Sequence, residues 1–176
     1  MMLLFVSINT TSLKAEISII DSLKHLLKTN IHDTTRVLTL STLGRETEYY
    51  DTSLCRQSLE SALNIAHKIK FNYGLGFAYY QLANLKVSCN ADYEYAFLLY
   101  DSAKFYFEKV KDNSGLMGVA LVYGGYSQIN YMEGMLEESV ANNISAIEVY
   151  NRVGDDAAKL EIAQQYVAIG QVYHRL

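Results

Sequence analysis

Histidine and cysteine, the residue types that most often do chemistry in proteins, are few in this 176-residue chain and are widely dispersed. A helical metal site needs two histidines four residues apart, because both imidazoles then lie on one face. The four histidines lack this spacing, and we expect them to be separate surface residues: His25, His32, His67 and His174. The sequence therefore predicts neither a metal site nor a cofactor.

The cysteines and glycines give no catalytic motif either. Cys55 and Cys89 show no CxxC motif and no Cys/His spacing typical of zinc ligands. We expect both to be buried thiols outside any disulfide, and a buried thiol is inert rather than nucleophilic. The glycines form no dinucleotide-binding motif and no phosphate-binding loop. The sequence predicts a protein without catalytic residues, and an undetected hydrolase or transferase is the alternative.

Composition and charge exclude two classes of partner. Half of the residues are hydrophobic and 19% are charged, values that are ordinary for a folded globular chain. The net charge of -4 is spread over scattered acids and bases, and without a run of Lys or Arg we expect no nucleic acid partner. No stretch approaches the roughly 20 apolar residues of a membrane helix. The length favours one domain.

Residues 1–15 resemble a clipped signal peptide. The apolar segment 1–8 is followed by Ala15, a small residue of the kind that a cleavage site favours. Against this reading, no basic residue precedes the apolar segment, and Leu13 is large where a small residue is preferred. The segment favours an extracytoplasmic location. The alternative is a frayed start of a leading helix at 16–30.

Internal self-similarity is the strongest signal in the chain. The segments 61–69, 102–110 and 145–153 begin with Ser-Ala and close with a basic residue followed by Ile or Val. Their alanines, Ala62, Ala103 and Ala146, lie 41 and 43 residues apart, a period that suits pairs of helices. Apolar residues at i, i+3, i+4 and i+7 indicate helices rather than strands, as in Leu59, Ala62, Leu63 and Ala66.

Capping and turn residues place the helix boundaries. Aspartates can accept hydrogen bonds at helix starts near residues 33, 51, 92 and 155, and Gly134 and Gly154 suit turns. The sequence predicts an all-α chain with helices at 17–29, 33–48, 52–70, 73–88, 92–110, 114–131, 134–153 and 156–175.

The pattern resembles tetratricopeptide repeats in their long-helix variety. First helices of that family carry a large apolar residue followed by a small one, as in Leu43-Gly44, Leu82-Ala83, Tyr126-Ser127 and Ile169-Gly170. Second helices carry small, aromatic and small residues. Ala96, Tyr100 and Ala103 match fully, whereas Cys55, Leu59 and Ala62, and Ser139, Asn143 and Ala146, match only in their small residues. The family's proline after the second helix is absent.

The resemblance implies a right-handed superhelical solenoid of antiparallel helix hairpins. It covers residues 31–176, which divide into repeat 1 (31–71), repeat 2 (72–112), repeat 3 (113–154) and the first helix of an incomplete repeat 4 (155–176). Two helices approach closely only where a side chain is nearly absent, so the small positions are expected to be contacts: Gly44, Ala83, Ser127, Gly170, Ala62, Ala103 and Ala146.

In such a solenoid the first helices line a concave face that binds a protein or peptide. Counting from the small positions gives the candidate binding residues Arg45, Glu48, Tyr80, Asn84, Gln128, Tyr131, Gln171 and His174. A polar stripe is also the solvated side of an amphipathic helix, and that alternative stays open. The tyrosines at helical spacing are expected mainly to pack between helices: Tyr79, Tyr80, Tyr100, Tyr106 and Tyr123.

The last predicted helix, 156–175, carries an apolar stripe of Ile162, Tyr166, Ile169 and Tyr173 without a following helix to cover it. Three explanations compete: the chain is the amino-terminal piece of a longer protein, which we favour, it forms a homodimer through this helix, or a partner completes the hairpin. The possible export signal, the leading helix, the Asp-Thr-Thr-Arg-Val segment at 33–37 and the long repeats together resemble the extracytoplasmic sensor arrays of bacterial signalling proteins associated with histidine kinases. The resemblance implies a non-catalytic interaction scaffold in signal transduction, with a regulator that captures a short signalling peptide as the alternative.

Overall fold

The structure, a computed structural model, describes residues 19–175, apart from the side chain of Asn90. All regular secondary structure in this range is helical, which confirms the predicted all-α class. The chain forms two compact units, one that ends at Lys70 and one that begins at Phe71. The predicted signal-peptide remnant at 1–15 lies outside the described residues.

The first unit contains a helix at residues 19–27, which we call α1, followed by α2 (Asp33–Thr47) and α3 (Thr52–Ile69). α2 and α3 pack against each other as a hairpin. Their close approach depends on Gly44, because a Cβ there would lie 2.7 Å from the side chain of Leu59. The Arg36 guanidinium donates to the carbonyl oxygens of Leu27 at 3.0 Å and Thr29 at 3.2 Å, which ties the end of α1 to α2.

The second unit contains five helices: α4 (Asn72–Asn90), α5 (Tyr93–Phe107), α6 (Asn113–Glu133), α7 (Leu136–Val153) and α8 (Asp156–Arg175). Each helix packs against the next one in the chain. In addition α4 contacts α6, and α6 contacts α8. From α2 to α8, every helix begins and ends within three residues of its predicted bounds.

Local capping explains most of these boundaries. Asp51 accepts a hydrogen bond from the Leu54 amide at 2.9 Å, and Asp155 accepts one from the Ala158 amide at 2.8 Å. The start of α2 corrects the sequence reading, because the His32 side chain caps it and Asp33 lies in the first turn. α6 and α7 end at Gly134 and Gly154, whose φ angles of 81° and 73° are favourable for glycine.

Two aromatic rings from α5 fill spaces that glycines leave open. The Phe107 ring lies where a Cβ on Gly76 or Gly118 would be, and the Tyr100 ring lies where a Cβ on Gly125 would be. Both rings are buried and belong to the main apolar core of the second unit. Close packing of this kind leaves no room for even one added methyl group.

The predicted small positions differ in what surrounds them. Six of these residues are buried: Gly44, Ala62, Ala83, Ala103, Ser127 and Ala146. Gly170 is an exception, because it is exposed and no heavy atom lies within 4 Å of an added Cβ. The expected contact at Gly170 is therefore wrong: no described helix packs on that side of α8.

Surface exposure corrects one further expectation. Cys55 is buried as expected, but Cys89 is exposed near the end of α4.

On α8 the large apolar side chains with the greatest exposure are Leu160, Tyr166, Val167 and Tyr173, whereas Ile162 and Ile169 are partly buried.

None of the helices that the structure describes is long and apolar enough to cross a membrane.

We expect Ala83→Leu to lower the free energy of unfolding by about 1–3 kcal/mol, because Ala83 is fully buried and three added carbons would overpack the core. Urea denaturation followed by circular dichroism measures the change. Ala141→Leu on the exposed surface of α7 is the control and should change stability by less than about 0.5 kcal/mol. Equal stability of the Ala83 variant and the wild type would contradict the packing described.

The neighbours Gly124 and Gly125 make a matched pair. We expect Gly125→Ala to lower the free energy of unfolding by about 1–3 kcal/mol, because the new Cβ meets the buried Tyr100 ring. Gly124→Ala should leave it unchanged or raise it by about 0.5–1 kcal/mol, because its nearest neighbours are at van der Waals distance, 3.6 Å and 3.8 Å, and alanine favours helix. Thermal unfolding of both variants tests this, and a reversed order would refute it.

Candidate functional site

A pocket of about 320 Å³ lies in the second unit. Residues from α4, α6, α7 and α8 line it: Tyr80, Leu121, Gly124, Gly125, Ser127, Gln128, Tyr131, Ser139, Asn143, Tyr150, Glu161, Gln164, Gln165, Ala168, Gln171 and Val172. α7 packs against both α6 and α8, and its lining residues Ser139, Asn143 and Tyr150 are buried at the bottom of the pocket. The pocket is a candidate binding site because it is concave and offers several polar groups at once.

The α8 wall of the pocket is one face of that helix. Glu161, Gln164, Gln165, Ala168 and Gln171 each lie three or four residues from another member of the set, so their side chains project on the same side of α8. At a rise of about 1.5 Å per residue, this face extends about 15 Å from Glu161 to Gln171. An extended peptide rises about 3.3 Å per residue. The wall therefore matches four or five residues of an extended segment.

Amide groups dominate the polar surface of the pocket. Four glutamines lie on α6 and α8: Gln128, Gln164, Gln165 and Gln171. A primary amide offers both donors and an acceptor, which is the same complement of groups that a peptide bond needs. The Gln165 amide lies over Gly124, at 3.6 Å and 3.8 Å from where a Cβ would be. The pocket surface is suited to hydrogen bonding with a polypeptide backbone.

Two polar atoms at the pocket are buried without a hydrogen-bond partner. They are Nδ2 of Asn143 and the hydroxyl of Tyr150, both on α7, and the two residues are 1% and 0% exposed. Two other buried groups in the lining are satisfied, because the hydroxyls of Ser127 and Ser139 lie 3.0 Å apart. A buried polar group without a partner costs about 1–3 kcal/mol. The two unpartnered groups therefore offer binding energy to a ligand that supplies acceptors.

Electrostatics keep the Tyr150 hydroxyl protonated. Burial raises the pKa of Tyr150 well above its ordinary value, and the charge of Glu161 raises it further. The phenol thus remains a hydrogen-bond donor throughout the physiological pH range. Glu161 is the one acidic or basic side chain among the lining residues, and it forms no salt bridge within the part of the chain that the structure describes.

The pocket arises because the repeats are not equivalent. In repeat 2 the Tyr100 ring lies against Gly125, and its hydroxyl donates to Oδ1 of Asn84 at 2.6 Å. Asn143 is at the position in repeat 3 that corresponds to Tyr100. By the same alignment, Gln128 corresponds to Asn84 and Ala168 corresponds to Gly125. Asn143, Gln128 and Ala168 all line the pocket. Asparagine is much smaller than tyrosine, so space that a ring fills in repeat 2 stays open in repeat 3.

The structure brings together four of the predicted binding residues, since Tyr80, Gln128, Tyr131 and Gln171 all line the pocket. Tyr80 also contacts the Tyr100 ring, with centroids 5.6 Å apart. The other tyrosines expected to pack between helices include Tyr79 and Tyr106, which stack with centroids 5.7 Å apart.

The remaining predicted residues lie elsewhere. Asn84 is engaged inside the fold, because it accepts from Tyr100 and donates to Gln81 at 3.2 Å. His174 is exposed and outside the lining, and the next residue contacts the pocket instead: the Arg175 guanidinium donates to the Tyr131 carbonyl at 2.8 Å.

The two predicted residues of the first unit are separate from this pocket's lining. Arg45 is exposed and pairs with Glu46 at 2.6 Å. Glu48 is only 7% exposed and stands at the end of α2, where its backbone N–H donates to the Arg45 carbonyl.

Sequence reasoning missed the pocket floor, which is formed by Ser139, Asn143 and Tyr150 of α7, and most of the α8 wall. The signal for the floor was present, because Asn143 replaces the aromatic residue of the small-aromatic-small pattern. The signal for the wall was the three-and-four spacing of polar residues from Glu161 to Gln171. For metal binding, residues 19–175 offer no group of three His, Cys, Asp or Glu side chains that could hold an ion.

A pair of tyrosine variants tests the unpartnered hydroxyl. We expect Tyr150→Phe to leave the free energy of unfolding unchanged or to raise it by about 1–3 kcal/mol, because it removes a buried group without a partner. Tyr100→Phe should instead lower it by about 1–2 kcal/mol, because Oδ1 of Asn84 loses its donor. Chemical denaturation measures both. A clear loss of stability in the Tyr150 variant would show that its hydroxyl is bonded inside the protein.

No protein-family model matches the chain, and neither do curated proteins or solved structures. The resemblance to tetratricopeptide repeats stays a prediction from the residues quoted for it. The functional argument therefore depends on the pocket and its side chains.

Proposed function

We propose that this chain is a non-catalytic interaction module that binds an extended segment of another protein in the pocket of its second unit. The observation that carries the proposal is the pairing of an amide-lined pocket with two buried donors, Asn143 and Tyr150, that have no partner. Both features suit a ligand rich in carbonyl oxygens, and a polypeptide backbone is the most common such ligand.

The helix contacts support a repeat architecture as part of the proposal. Each helix of the second unit packs on its neighbour in sequence, while α4 contacts α6 and α6 contacts α8. Stacked hairpins of the tetratricopeptide type have contacts of this kind, with first helices side by side. We propose a superhelical arrangement of hairpins on this basis. The signalling role that the resemblance implies stays a prediction.

The chemistry of the lining supports binding rather than catalysis. Glu161 is its one carboxylate, and the lining contains no His, Cys or Lys. General acid–base or nucleophilic catalysis needs two such groups in reach of each other. The raised pKa of Tyr150 makes its hydroxyl a poor base and a poor nucleophile. The pocket can orient a ligand through hydrogen bonds.

The direct test is selection from a random peptide library on the purified full-length chain. We expect enriched peptides whose binding is lost in a variant that fills the pocket, Asn143→Tyr with Ala168→Gly. This double change copies the pair formed by Tyr100 on α5 and Gly125 on α6 to the corresponding positions of α7 and α8, so the fold has a precedent for it. Circular dichroism checks that the variant is folded.

The control for the selection is Glu148→Gln, on an exposed part of α7 outside the pocket lining. It should keep the wild-type peptides and affinities. Enrichment of the same peptides by the wild type and by the folded pocket-filling variant would refute binding in this pocket. Absence of any enriched peptide would refute the proposed function itself.

A further inference from the structure

The pocket lining carries one negative charge and no positive charge. Glu161 is the one charged residue in the lining and forms no salt bridge with any residue that the structure describes. It is only partly exposed, so water screens its charge less than on an open surface. A ligand that places a positive charge beside Glu161 gains more than it would on the open surface.

The nearest cation on α8 is Lys159, two residues from Glu161, and its ammonium pairs with Asp156 at 2.9 Å. The other cation on this helix is Arg175. The Arg175 guanidinium donates to the Tyr131 carbonyl and lies 4.9 Å from the centre of the Tyr131 ring. Glu161 and Arg175 are fourteen positions apart on one helix, which separates their backbones by about 21 Å. Neither Lys159 nor Arg175 belongs to the pocket lining or pairs with Glu161, so the lining at Glu161 carries a single negative charge.

The unpartnered donors define the second requirement for a ligand. The Tyr150 hydroxyl and Nδ2 of Asn143 are two helical turns apart on α7 and both border the pocket. Each needs an acceptor oxygen. A carboxylate could supply the acceptors, but it would bring a second negative charge close to Glu161, whose charge already acts on Tyr150. Neutral carbonyl oxygens supply the acceptors without that repulsion.

We infer that the pocket binds an extended peptide segment with a lysine or arginine side chain beside Glu161 and backbone carbonyls at Tyr150 and Asn143. This inference rests on the proposed function and adds the chemical class of the bound segment. The amides of Gln128, Gln165 and Gln171 then pair with the remaining peptide groups along the 15 Å wall described above, about the length of four or five residues.

Peptide pools with one fixed position test the charge requirement. Pools of about seven residues, randomised elsewhere, carry Lys, Arg, Gln or Glu at the fixed position, and their binding to the full-length chain is measured by fluorescence anisotropy. We expect the best Lys or Arg pool to bind at least about tenfold more tightly than the matched Glu pool, and the Gln pool to lie between them. A tenfold ratio corresponds to about 1.4 kcal/mol.

Variants of Glu161 assign the preference to this pocket. Glu161→Gln should reduce the tenfold ratio to less than about twofold, and Glu161→Lys should reverse it, whereas Glu148→Gln should keep it. Glu161 is partly exposed, so these variants are expected to fold, and their thermal unfolding checks this. Tyr150→Phe should weaken all pools alike without changing the ratio.

The possible failures are distinguishable. If Lys, Gln and Glu pools bind equally and all lose binding in Asn143→Tyr with Ala168→Gly, the charge requirement is wrong but the proposed function stands. A basic preference that persists unchanged in Glu161→Gln also overturns the inference. If no pool binds the wild type, the inference and the proposed function fail together.

Discussion

The packing of α5 aromatic rings into spaces left by glycines determines the architecture of the second unit. Tyr100 lies against Gly125, and Phe107 lies against Gly76 and Gly118. Each ring brings a second helix into contact with the first helices on either side, because its edges reach residues of both α4 and α6. A Cβ at any of these glycines would meet ring atoms closer than 3 Å. The helices therefore have one permitted spacing rather than a range of loosely packed ones.

The candidate site is a local departure from this same packing. Repeat 3 keeps the small residues Ser139 and Ala146 that allow α7 to approach its neighbours, but it holds Asn143 where repeat 2 holds Tyr100. What is a structural contact in one repeat becomes a pocket in the next. Nδ2 of Asn143 has no hydrogen-bond partner, whereas Tyr100 at the corresponding position donates to Asn84.

The sequence was sufficient to predict the helices and many of their contacts. Periodicity and capping residues placed α2 to α8 within three residues, because both signals are local and act within one or two turns. The candidate binding residues of the concave face were predicted by treating the repeats as equivalent. That assumption identified Gln128 and Gln171, which line the pocket. It failed for Asn84, because the hydrogen bond from Tyr100 is a contact between helices. It could not find the pocket floor, which exists because the repeats differ.

The Asn143 and Tyr100 relationship has a genetic consequence. An asparagine codon and a tyrosine codon differ in a single base, so one point mutation is enough to replace the ring of a Tyr100-type position by the shorter side chain. The neighbouring repeats continue to supply the core while the altered repeat gains a cavity with polar groups. An array of this kind can acquire a binding site by point mutation, without insertion, deletion or a new loop.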